Sequence, residues 1–533
     1  MDDIRMISKL KFQGFPLDMK PPTGWLISSL DEIADIVQSG FASGKHNRNE
    51  EGIPHLRPMN VNPDGEIDLM DIRYIDPKIN SLRLGQGDIL FNNTNSQLWV
   101  GKTALIRTGD DLAFFNHMTR VKVKPLLINA EFIAKQLNFL RTSGYFQIHC
   151  KKHVNQASIA GEILRNEVPI LVPPTNEQRR IVARIEELQA RSRRAREALE
   201  VIPDLLDQLR QSILAAAFRG DLTKKWRERH PTVEPASELL KRIRTERRKR
   251  WEDAELEKLK AKGLSDDNLQ EAFANRRKQY KEPVHVDTTN LPEIPEGWCW
   301  ASIEELSKNL QYGSSLKSSK AGRIPVLRMG NLQNGKVDWS DLVYTSDDNE
   351  IGKYSLTPNT VLFNRTNSPE LVGKTAIYRG EQEAVFAGYL IKINHMPQIH
   401  PGYLNIMLNT PFIRQLCASV KSDAVSQSNI NASKLAMFPI PFCSWEEQSV
   451  IVAIVESAVS TMQKESDLTS NLFSLLQNFD QSILFKAFRG ELVPQDPNDE
   501  PASILLERIR QEKARAVTEP KVKDKRKGKK NAA

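Results

Sequence analysis

The chain is poor in cysteine, with four among 533 residues. Cys150, Cys299, Cys417 and Cys443 are widely separated and form no Cys-x-x-Cys pair or recognisable zinc-ligand spacing. This pattern excludes a disulfide framework and predicts reduced thiols. No apolar run approaches the length of a membrane-spanning helix, and residues 1–12 lack the apolar core of a signal peptide. We therefore expect a soluble cytoplasmic protein.

Catalytic signatures are also missing. Residues 101–103 and 373–375, both Gly-Lys-Thr, resemble the end of a phosphate-binding loop, but Ser96 and Ser368 stand where that loop needs glycine. The loose carboxylate pattern around Asp76 has no counterpart in the second half of the chain. There is no nucleophile elbow, no metal-binding histidine pair and no Asn/Asp-Pro-Pro-Tyr tetrad of a base-methylating enzyme. We predict a chain without catalytic residues, metal or cofactor of its own.

A long internal repeat is present instead. Residues 211–222 (QSILAAAFRGDL) return as 481–492 (QSILFKAFRGEL), with nine of twelve positions identical. Since the repeat spans about 270 residues, far more than a solenoid unit, each copy must contain a globular domain. The other repeated segments are Gly24-Trp25 and Gly297-Trp298, FNNTNS at 91 and FNRTNS at 363, GKTA at 101 and 373, Glu177-Gln178 and Glu447-Gln448, and PASELLKRIR at 235 and PASILLERIR at 501.

A heptad stripe follows each globular segment. Alternating steps of four and three meet apolar residues at nine of ten positions over 181–213 and at eight of ten over 451–483. Such a narrow stripe predicts two helices, each about 50 Å long, that pair as an antiparallel coiled coil. Pro203 predicts at most a kink in the first helix, where the second has Phe473. The stripe residues expected to pack in the coiled coil or on partners are Ile181, Ile185, Leu188, Leu206, Leu209, Ile213, Ile451, Val455, Leu472, Leu476, Phe479 and Ile483.

The predicted fold is a pair of mixed α/β domains joined by this long helical coiled coil, with an internal pseudo-two-fold repeat. The sheet order stays unpredicted. The predicted segments are an N-terminal arm (1–20), the first domain (21–175), the first helix (176–220), a charged helical linker (221–290), the second domain (291–443), the second helix (444–490) and a C-terminal segment with a basic disordered tail (491–533).

The charge balance leans mildly towards an anionic partner, with a formal net charge of +8 and a pI near 9.1. Residues 241–250 and 521–530 each hold seven basic residues in ten. Each run is typical of a solvated helix face or a disordered tail as well as of an anion-binding segment. The tail would add sequence-independent attraction to phosphates.

Short amides, hydroxyls and basic groups cluster in both globular domains. Amide and guanidinium groups make bidentate contacts with purine edges, although runs of Asn, Ser and Thr also form ordinary turns. If the two domains recognise different DNA sequences, residues that are identical in both copies should maintain the fold, and residues that differ should contact the bases. The better candidates for base readout are therefore the differing pairs Asn93 and Arg365, and His55 and Val326. The predicted DNA-binding residues are Lys45, His46, Asn47, Arg48, His55, Arg57, Asn60, Asn92, Asn93, Thr94, Asn95, Lys151, Lys152, Gln156, Arg328, Asn331, Arg365, Asn367, Gln427 and Asn429.

These features together resemble a known family along nearly the whole chain. Domains that open at Gly-Trp and close in Pro-Pro or Pro-Ile-Pro before Glu-Gln, with long helices ending in SIL…AFRG, are similar to the specificity subunit of type I restriction-modification enzymes. The resemblance implies two target recognition domains, each reading one half of a split double-stranded DNA site, and a coiled coil that fixes the spacing. It also implies a non-catalytic subunit in a bacterial or archaeal cytoplasm.

The resemblance further implies partners. These are two methyltransferase subunits, which use S-adenosylmethionine, and restriction/translocase subunits. The repeated SIL…AFRG phrase would offer the same surface to two identical partners. The charged segment 221–290 departs from shorter members and would either extend a helix or dock partner subunits. The alternatives are a coiled-coil adaptor that binds protein or RNA, and a fused methyltransferase or nuclease, which the missing tetrad disfavours.

Overall fold

A computed structural model of the chain describes residues 21–78, 82–108, 111–263, 266–423 and 428–518. The predicted N-terminal arm, the basic run 521–530 and Gln427 lie outside the described residues. Two compact units are present: unit 1 holds the described residues up to Glu200 and from Ser470 onward, and unit 2 holds Val201–Thr469. In the part of the chain that the structure describes, no helix combines the length and apolarity needed to cross a membrane.

The first globular domain alternates short strands with helices. Its strands are β1 (Leu26–Ser28), β2 (Ala34–Ser39), β3 (Ile53–Leu56), β4 (Arg73–Ile75), β5 (Arg83–Leu84), β6 (Ile89–Asn92), β7 (Thr94–Asn95), β8 (Thr103–Leu105), β9 (Leu112–Phe114), β10 (Met118–Val123), β11 (Lys151–Lys152), β12 (Ala157–Ser158) and β13 (Ile170–Val172). Its helices are α1 (Leu30–Ile33), α2 (Ala130–Thr142), α3 (Tyr145–His149) and α4 (Gly161–Asn166), followed by the long α5 (Thr175–Glu200).

The rest of the chain repeats this order after four further helices. These are α6 (Ile202–Phe218), α7 (Lys224–Arg229), α8 (Ala236–Lys260) and α9 (Asp266–Arg277). The strands are β14 (Cys299–Ser302), β15 (Ser307–Tyr312), β16 (Ile324–Leu327), β17 (Leu332–Gln333), β18 (Gly335–Val337), β19 (Val343–Thr345), β20 (Thr360–Asn364), β21 (Thr366–Asn367), β22 (Thr375–Tyr378), β23 (Val385–Phe386), β24 (Leu390–His395), β25 (Ser422–Asp423), β26 (Ser428–Asn429) and β27 (Pro439–Phe442). The helices are α10 (Ile303–Leu306), α11 (Asp348–Tyr354), α12 (Pro401–Leu408), α13 (Pro411–Val420), α14 (Ala432–Ala436), α15 (Trp445–Phe488) and α16 (Ala502–Thr518).

Both units contain the predicted mixture of helices and strands. In unit 1 the sheets run β2-β10-β6-β8 and β4-β3-β9-β5, with a small sheet β11-β12-β7 and the closing pair β1-β13. Unit 2 has the corresponding sheets β15-β24-β20-β22-β18-β17, β19-β16-β23, β21-β26-β25 and β14-β27. The extra hairpin β17-β18 turns at Asn334 and Gly335, whose φ angles of 54° and 79° are typical of an Asn-Gly turn.

The repeated Gly-Lys-Thr segments are tight turns, as their missing loop glycine predicts. Gly101 has a φ of 89°, and a Cβ there would come within 2.4 Å of the Phe146 ring. Gly373 repeats both features against Cys417 in unit 2. Lys102 is 7% exposed and donates to the Val61 carbonyl. The motif therefore builds the fold.

The first long helix is interrupted where the proline predicts it. Helix α5 ends at Glu200 and α6 begins at Ile202, with Pro203 in the first turn of α6. Val201 between them keeps right-handed helical dihedrals, with φ of −83° and ψ of −15°. Helix α15 continues unbroken for 44 residues. The difference follows from the absent proline N–H, which cannot bond to the preceding turn.

Each unit pairs half of one long helix with half of the other. In unit 1, Arg196 near the end of α5 binds Asp480 of α15 at 2.9 Å. Ile181 near the start of α5 shares a buried core with Ile483 and Phe488. Residue numbers that rise along one helix thus fall along the other, as in the predicted antiparallel coiled coil.

The predicted heptad stripe is not buried along its whole length. Ile181, Ile185, Ile451, Val455 and Ile483 are buried, and Leu188, Leu206, Ile213 and Leu476 are half-buried. Leu209, Leu472 and Phe479 are 49%, 36% and 43% exposed. They are not packed inside the chain, and their packing on partners stays a prediction.

The repeated SIL…AFRG phrases end their helices and pack inside the chain. Gly220 and Gly490 have φ angles of 73° and 69°, the left-handed conformation that stops a helix. Phe218 contacts Trp300 and Phe412 at ring distances of 5.8 and 4.8 Å. Phe488 packs in the core of unit 1 in the same way. The expectation that this phrase offers its surface to partners is wrong for its buried apolar residues.

The charged segment 221–290 forms separate helices, and α8 docks on the second domain of unit 2. Arg244 binds Glu305, which is 1% exposed, at 2.6 Å. Six of the seven basic residues of the run 241–250 form ion pairs with described carboxylates. In unit 1, Arg510 of α16 takes the matching position and binds Glu32 at 2.7 Å. Arg244 and Arg247 therefore fix α8 to the second domain, while the other basic residues of the run form a solvated helix face.

Candidate nucleic-acid interface

A small sheet in unit 1 brings together polar segments that are far apart in the sequence. Strand β12 pairs with β7 and β11, so Ala157 lies opposite both Asn95 and Lys152. The predicted segments FNNTNS and HCKKH therefore meet on one surface. Lys151 and Lys152 are exposed, as is Gln156 just before β12. Two ammonium groups beside amide side chains can contact phosphates and base edges.

Unit 2 builds the same sheet with different residues. Ser428 lies opposite both Asn367 and Asp423, in the register of unit 1. Ser422 and Asp423 therefore occupy the positions of the two lysines. Because the backbone pairing is shared and the residue types differ in charge, the two copies place different residues at matching positions of one framework.

Five predicted DNA-binding residues are buried, which corrects their assignment as readers. Asn60 accepts a hydrogen bond from the Arg57 amide at 3.0 Å and donates to the Asp68 carbonyl at 2.9 Å. Asn331 makes the matching bonds in unit 2. A side chain saturated inside the fold cannot reach a base without breaking these bonds. The buried set, between 0% and 7% exposed, is His55, Asn60, Asn92, Asn93 and Asn331.

The first pair of differing residues also serves the framework. Asn93 donates to the Thr119 hydroxyl at 2.8 Å inside unit 1. Arg365 in unit 2 lies 4.8 Å from the centre of the Tyr312 ring and donates to Asn429 Oδ1 at 3.2 Å. The substitution therefore changes how each small sheet is supported.

The remaining candidates stay accessible to different degrees. Lys45, His46, Arg48, Lys151, Lys152 and Gln156 are exposed. Asn47, Arg57, Thr94, Asn95, Arg328, Arg365, Asn367 and Asn429 are half-buried. Arg57 and Arg328 are each held by an aspartate, through the Asp71 carbonyl at 2.8 Å and the Asp341 carboxylate at 3.0 Å.

The second differing pair places a histidine in an apolar site. His55 lies between the rings of Phe41 and Phe115, at 5.0 and 5.8 Å, and its Nδ1 is 3.0 Å from His46 Nε2. Burial lowers the pKa of His55 to about 4. Burial and the nearby Arg57 also lower the pKa of His46. Both imidazoles are therefore neutral at pH 7, and Val326 takes the place of His55 in unit 2.

An aromatic surface cavity in unit 1 was missed from the sequence. It has a volume of about 580 Å³ and is lined by Arg57, Met59, Asn95, Trp99 and Phe115 among others. The Lys102 ammonium and the Arg141 guanidinium lie 5.8 and 5.9 Å from the Trp99 ring centre. Leu371 and Ala387 replace Trp99 and Phe115 in the second copy. This difference between the two copies is the sequence signal that could have indicated the cavity.

These features define a class of protein: a duplicated polar recognition domain carried on paired long helices. The described residues contain no cluster of three or more His, Cys, Asp or Glu able to hold a metal ion. The family model of the type I restriction modification DNA specificity domain matches residues 22–201 and 295–472. The chain belongs to this family.

Relatives and solved structures agree with that assignment. The EcoKI type I restriction enzyme specificity subunit of Escherichia coli K12 is 23% identical over 518 residues, covering 93% of this chain and 97% of that relative. A structure from work on complex assembly and conformational transition of the type I R-M system superposes with a TM-score of 0.60, at 15% identity, covering 89% of this chain and all of that one. The HsdS subunit of Thermoanaerobacter tengcongensis gives 0.52 at 17% identity, covering 89% and 99%. At such identities these structures show a shared fold.

Proposed function

We propose that the chain is the DNA specificity subunit of a type I restriction-modification complex and reads a bipartite double-stranded target, one half with each domain. The observation that carries this proposal is one shared framework with two different polar sheets. Lys151 and Lys152 stand in unit 1 where Ser422 and Asp423 stand in unit 2. Two domains of one origin with unlike recognition surfaces suit a target with two unlike halves.

The catalytic work would belong to partners. Two methyltransferase subunits would hold S-adenosylmethionine and transfer the methyl group, and restriction/translocase subunits would cut. Such a complex acts in the cytoplasm of a bacterial or archaeal cell. Exposed apolar residues of the long helices, Leu209 in unit 2 and Leu472 and Phe479 in unit 1, offer each unit a surface for assembly.

Domain exchange tests the two-reader model. Residues 21–175 are replaced by the corresponding segment of a relative with a known target, and the methylated motif is read by single-molecule sequencing in cells that carry the partner subunits. We expect one half of the motif to change completely while the other half and the spacer stay constant. Replacement of 291–443 is the matched control and should change only the opposite half. A change in both halves from either exchange contradicts the model.

The runner-up function is a coiled-coil adaptor for protein or RNA. A DNA reader should lose affinity steeply as salt rises, because phosphate contacts release counterions. An adaptor for protein should show little such dependence. Binding of the assembled complex to its methylated motif, measured against salt concentration, separates the two.

A further inference from the structure

A cationic pocket in unit 2 is not explained by the recognition sheets. It lies where α6 meets the second globular domain and has a volume of about 410 Å³. Three basic side chains line it: Arg210 of α6, Lys374 before β22 and Arg414 of α13. None of the described residues that line it is an aspartate or glutamate. Three like charges in one concave site repel each other, and an anion would offset that repulsion.

None of the three cations forms an ion pair with a described carboxylate. Arg210 is half-buried and forms no hydrogen bond or ion pair with any described residue, although Asp207 lies one turn earlier on the same helix. Lys374 donates to Gln333 Oε1 at 3.0 Å, and Arg414 donates to the Glu370 carbonyl at 2.8 Å.

The pKa values agree with this geometry. Burial lowers the pKa of Arg210. Burial and the charge of Arg414 lower the pKa of Lys374. A buried charge without a counter-ion is costly for the fold, so the arrangement favours a bound anion.

A larger, mainly apolar cavity adjoins the cationic pocket. It measures about 530 Å³ and shares Arg210, Leu214, Asn334 and Asn409 with the cationic pocket. Its walls include Val337, Trp339, Ile406 and Val455. The Trp339 indole N–H is buried without an acceptor among the described residues. Charged residues also line it, among them Arg379, Glu381 and Glu456, and Arg379 is paired with Glu456. The size and the apolar part of the lining are typical of a small-molecule site.

Unit 1 lacks this charge arrangement at the matching positions. Asp480 replaces Arg210 and pairs with Arg196 at 2.9 Å. Ser143 replaces Arg414. The alignment of these two positions follows from the asparagines five residues earlier, because Asn138 and Asn409 bind the equivalent backbone groups of Thr103 and Thr375. The third matching cation, Lys102, is buried on a carbonyl. The chain therefore contains its own comparison: the same framework with and without the cationic pocket.

We propose that unit 2 binds a small organic phosphate, of about the size of a nucleoside monophosphate. Arg210, Lys374 and Arg414 hold the phosphate, and the flat apolar part lies in the adjoining cavity beside Trp339. This site is separate from the small sheet β21-β26-β25, so its occupation and the choice of half-site can be measured independently.

Titration calorimetry of the full chain with adenosine 5′-monophosphate tests the site. We expect saturable one-to-one binding that weakens at least tenfold in Arg210→Gln and in Lys374→Gln. Arg219→Gln, an exposed arginine at the end of the same helix, is the matched control and should leave binding unchanged. Thermal unfolding of each variant shows that the fold is kept. Trp339→Leu should weaken binding of the nucleotide and leave binding of inorganic phosphate unchanged.

Three results would overturn the proposal. The first is no binding of the nucleotide at millimolar concentration. The second is equal affinity for inorganic phosphate and the nucleotide, which reduces the site to a simple anion site. The third is that Arg210→Gln alters only duplex DNA binding, which makes Arg210 a backbone contact. The domain exchange above keeps its outcome in each case, so the two proposals fail separately.

Discussion

Equivalent glutamines, Gln178 in unit 1 and Gln448 in unit 2, form the same hydrogen bonds, whereas the glutamates beside them, Glu177 and Glu447, have different neighbours. Gln178 accepts from the Asn129 amide at 2.8 Å, and Gln448 accepts from the His400 amide at 2.7 Å. Each also donates at 2.8 Å to a carbonyl five residues earlier. The glutamine side chain therefore joins the long helix to the backbone of its domain by the same hydrogen bonds in both copies.

The glutamate one residue earlier shows what has changed. Glu447 is 3% exposed and binds Arg227 at 2.6 Å, the Thr223 hydroxyl at 2.6 Å and the Trp298 indole at 2.8 Å. Glu177 is 2% exposed, and no described Lys or Arg lies within ion-pair distance. Burial raises the pKa of Glu177. The two copies therefore keep the hydrogen bonds of the glutamine to the backbone, whereas the charged neighbours of the adjacent glutamate differ.

The largest expected effect is the loss of stability on neutralising Glu447, compared with the small change on neutralising Glu177. Glu447→Gln leaves the Arg227 guanidinium without its counter-ion and should lower the free energy of unfolding by about 3–5 kcal/mol. Glu177→Gln replaces a carboxyl that burial already disfavours in its charged form, so the change should stay within about 1 kcal/mol. Calorimetric unfolding of both variants at pH 7 measures the difference. Equal losses would contradict the comparison.

A smaller effect should follow from His55, which unit 2 replaces with Val326. The folded pKa of His55, about 4, lies below the usual 6.5. As pH falls from 6.5 to 4, the unfolded chain binds a proton that the folded chain does not. The contribution of neutral His55 to the stability of unit 1 should therefore be fully present above pH 6.5. The free energy of unfolding should decline by up to about 3 kcal/mol as the pH falls through this window.

The control for this pH dependence is His55→Val, which copies the second unit. Its stability at neutral pH is free to shift, but the decline between pH 6.5 and 4 should largely disappear. Urea unfolding followed at several pH values, in the wild type and the variant, gives the two slopes. An unchanged slope in His55→Val would place the acid sensitivity elsewhere, with His46 the neighbouring imidazole at 3.0 Å. Arg57 and Arg73 act on these rings only through their constant charge.

The sequence predicted those parts of the molecule that depend on repetition and periodicity. Heptad spacing located the long helices, and Pro203 located the break at Val201. Apolar spacing could not tell which stripe positions are buried within the chain and which stay exposed, as Leu209, Leu472 and Phe479 do. The pairing of half-helices in unit 1 depends on contacts between residues far apart in the sequence, such as Arg196 and Asp480, which are 284 positions apart. No local pattern contains such a contact.

The site was predictable in its segments but not in its accessible residues. FNNTNS and HCKKH were identified as polar, yet only strand pairing shows that Asn95 and Lys152 flank Ala157. Burial removed His55 and Asn93, the two residues that the difference between copies favoured in unit 1. A changed residue can compensate a neighbouring change inside the fold, so difference alone does not mark a reader. Lys151 and Lys152 are among the candidates that both differ between the copies and are exposed.

The smallest expected effect tests that conclusion on DNA. The double variant Lys151→Gln, Lys152→Gln removes two exposed charges from the small sheet of unit 1. If each lysine contacts one phosphate, the slope of log affinity against log salt should fall by about 0.9 for each, or about 1.8 in total. The slope is obtained by measuring binding of the assembled complex to its target duplex at salt concentrations from about 50 to 200 mM, where phosphate contacts strongly affect affinity.

The matched control is the double variant Lys258→Gln, Lys260→Gln on α8. It removes the same total charge from a surface whose lysines are already paired with glutamates. An equal change in both double variants would mean that general charge matters and the small sheet does not touch DNA. A change confined to Lys151 and Lys152 would place the small sheet of unit 1 on the phosphate backbone, through two charges that unit 2 does not have at Ser422 and Asp423.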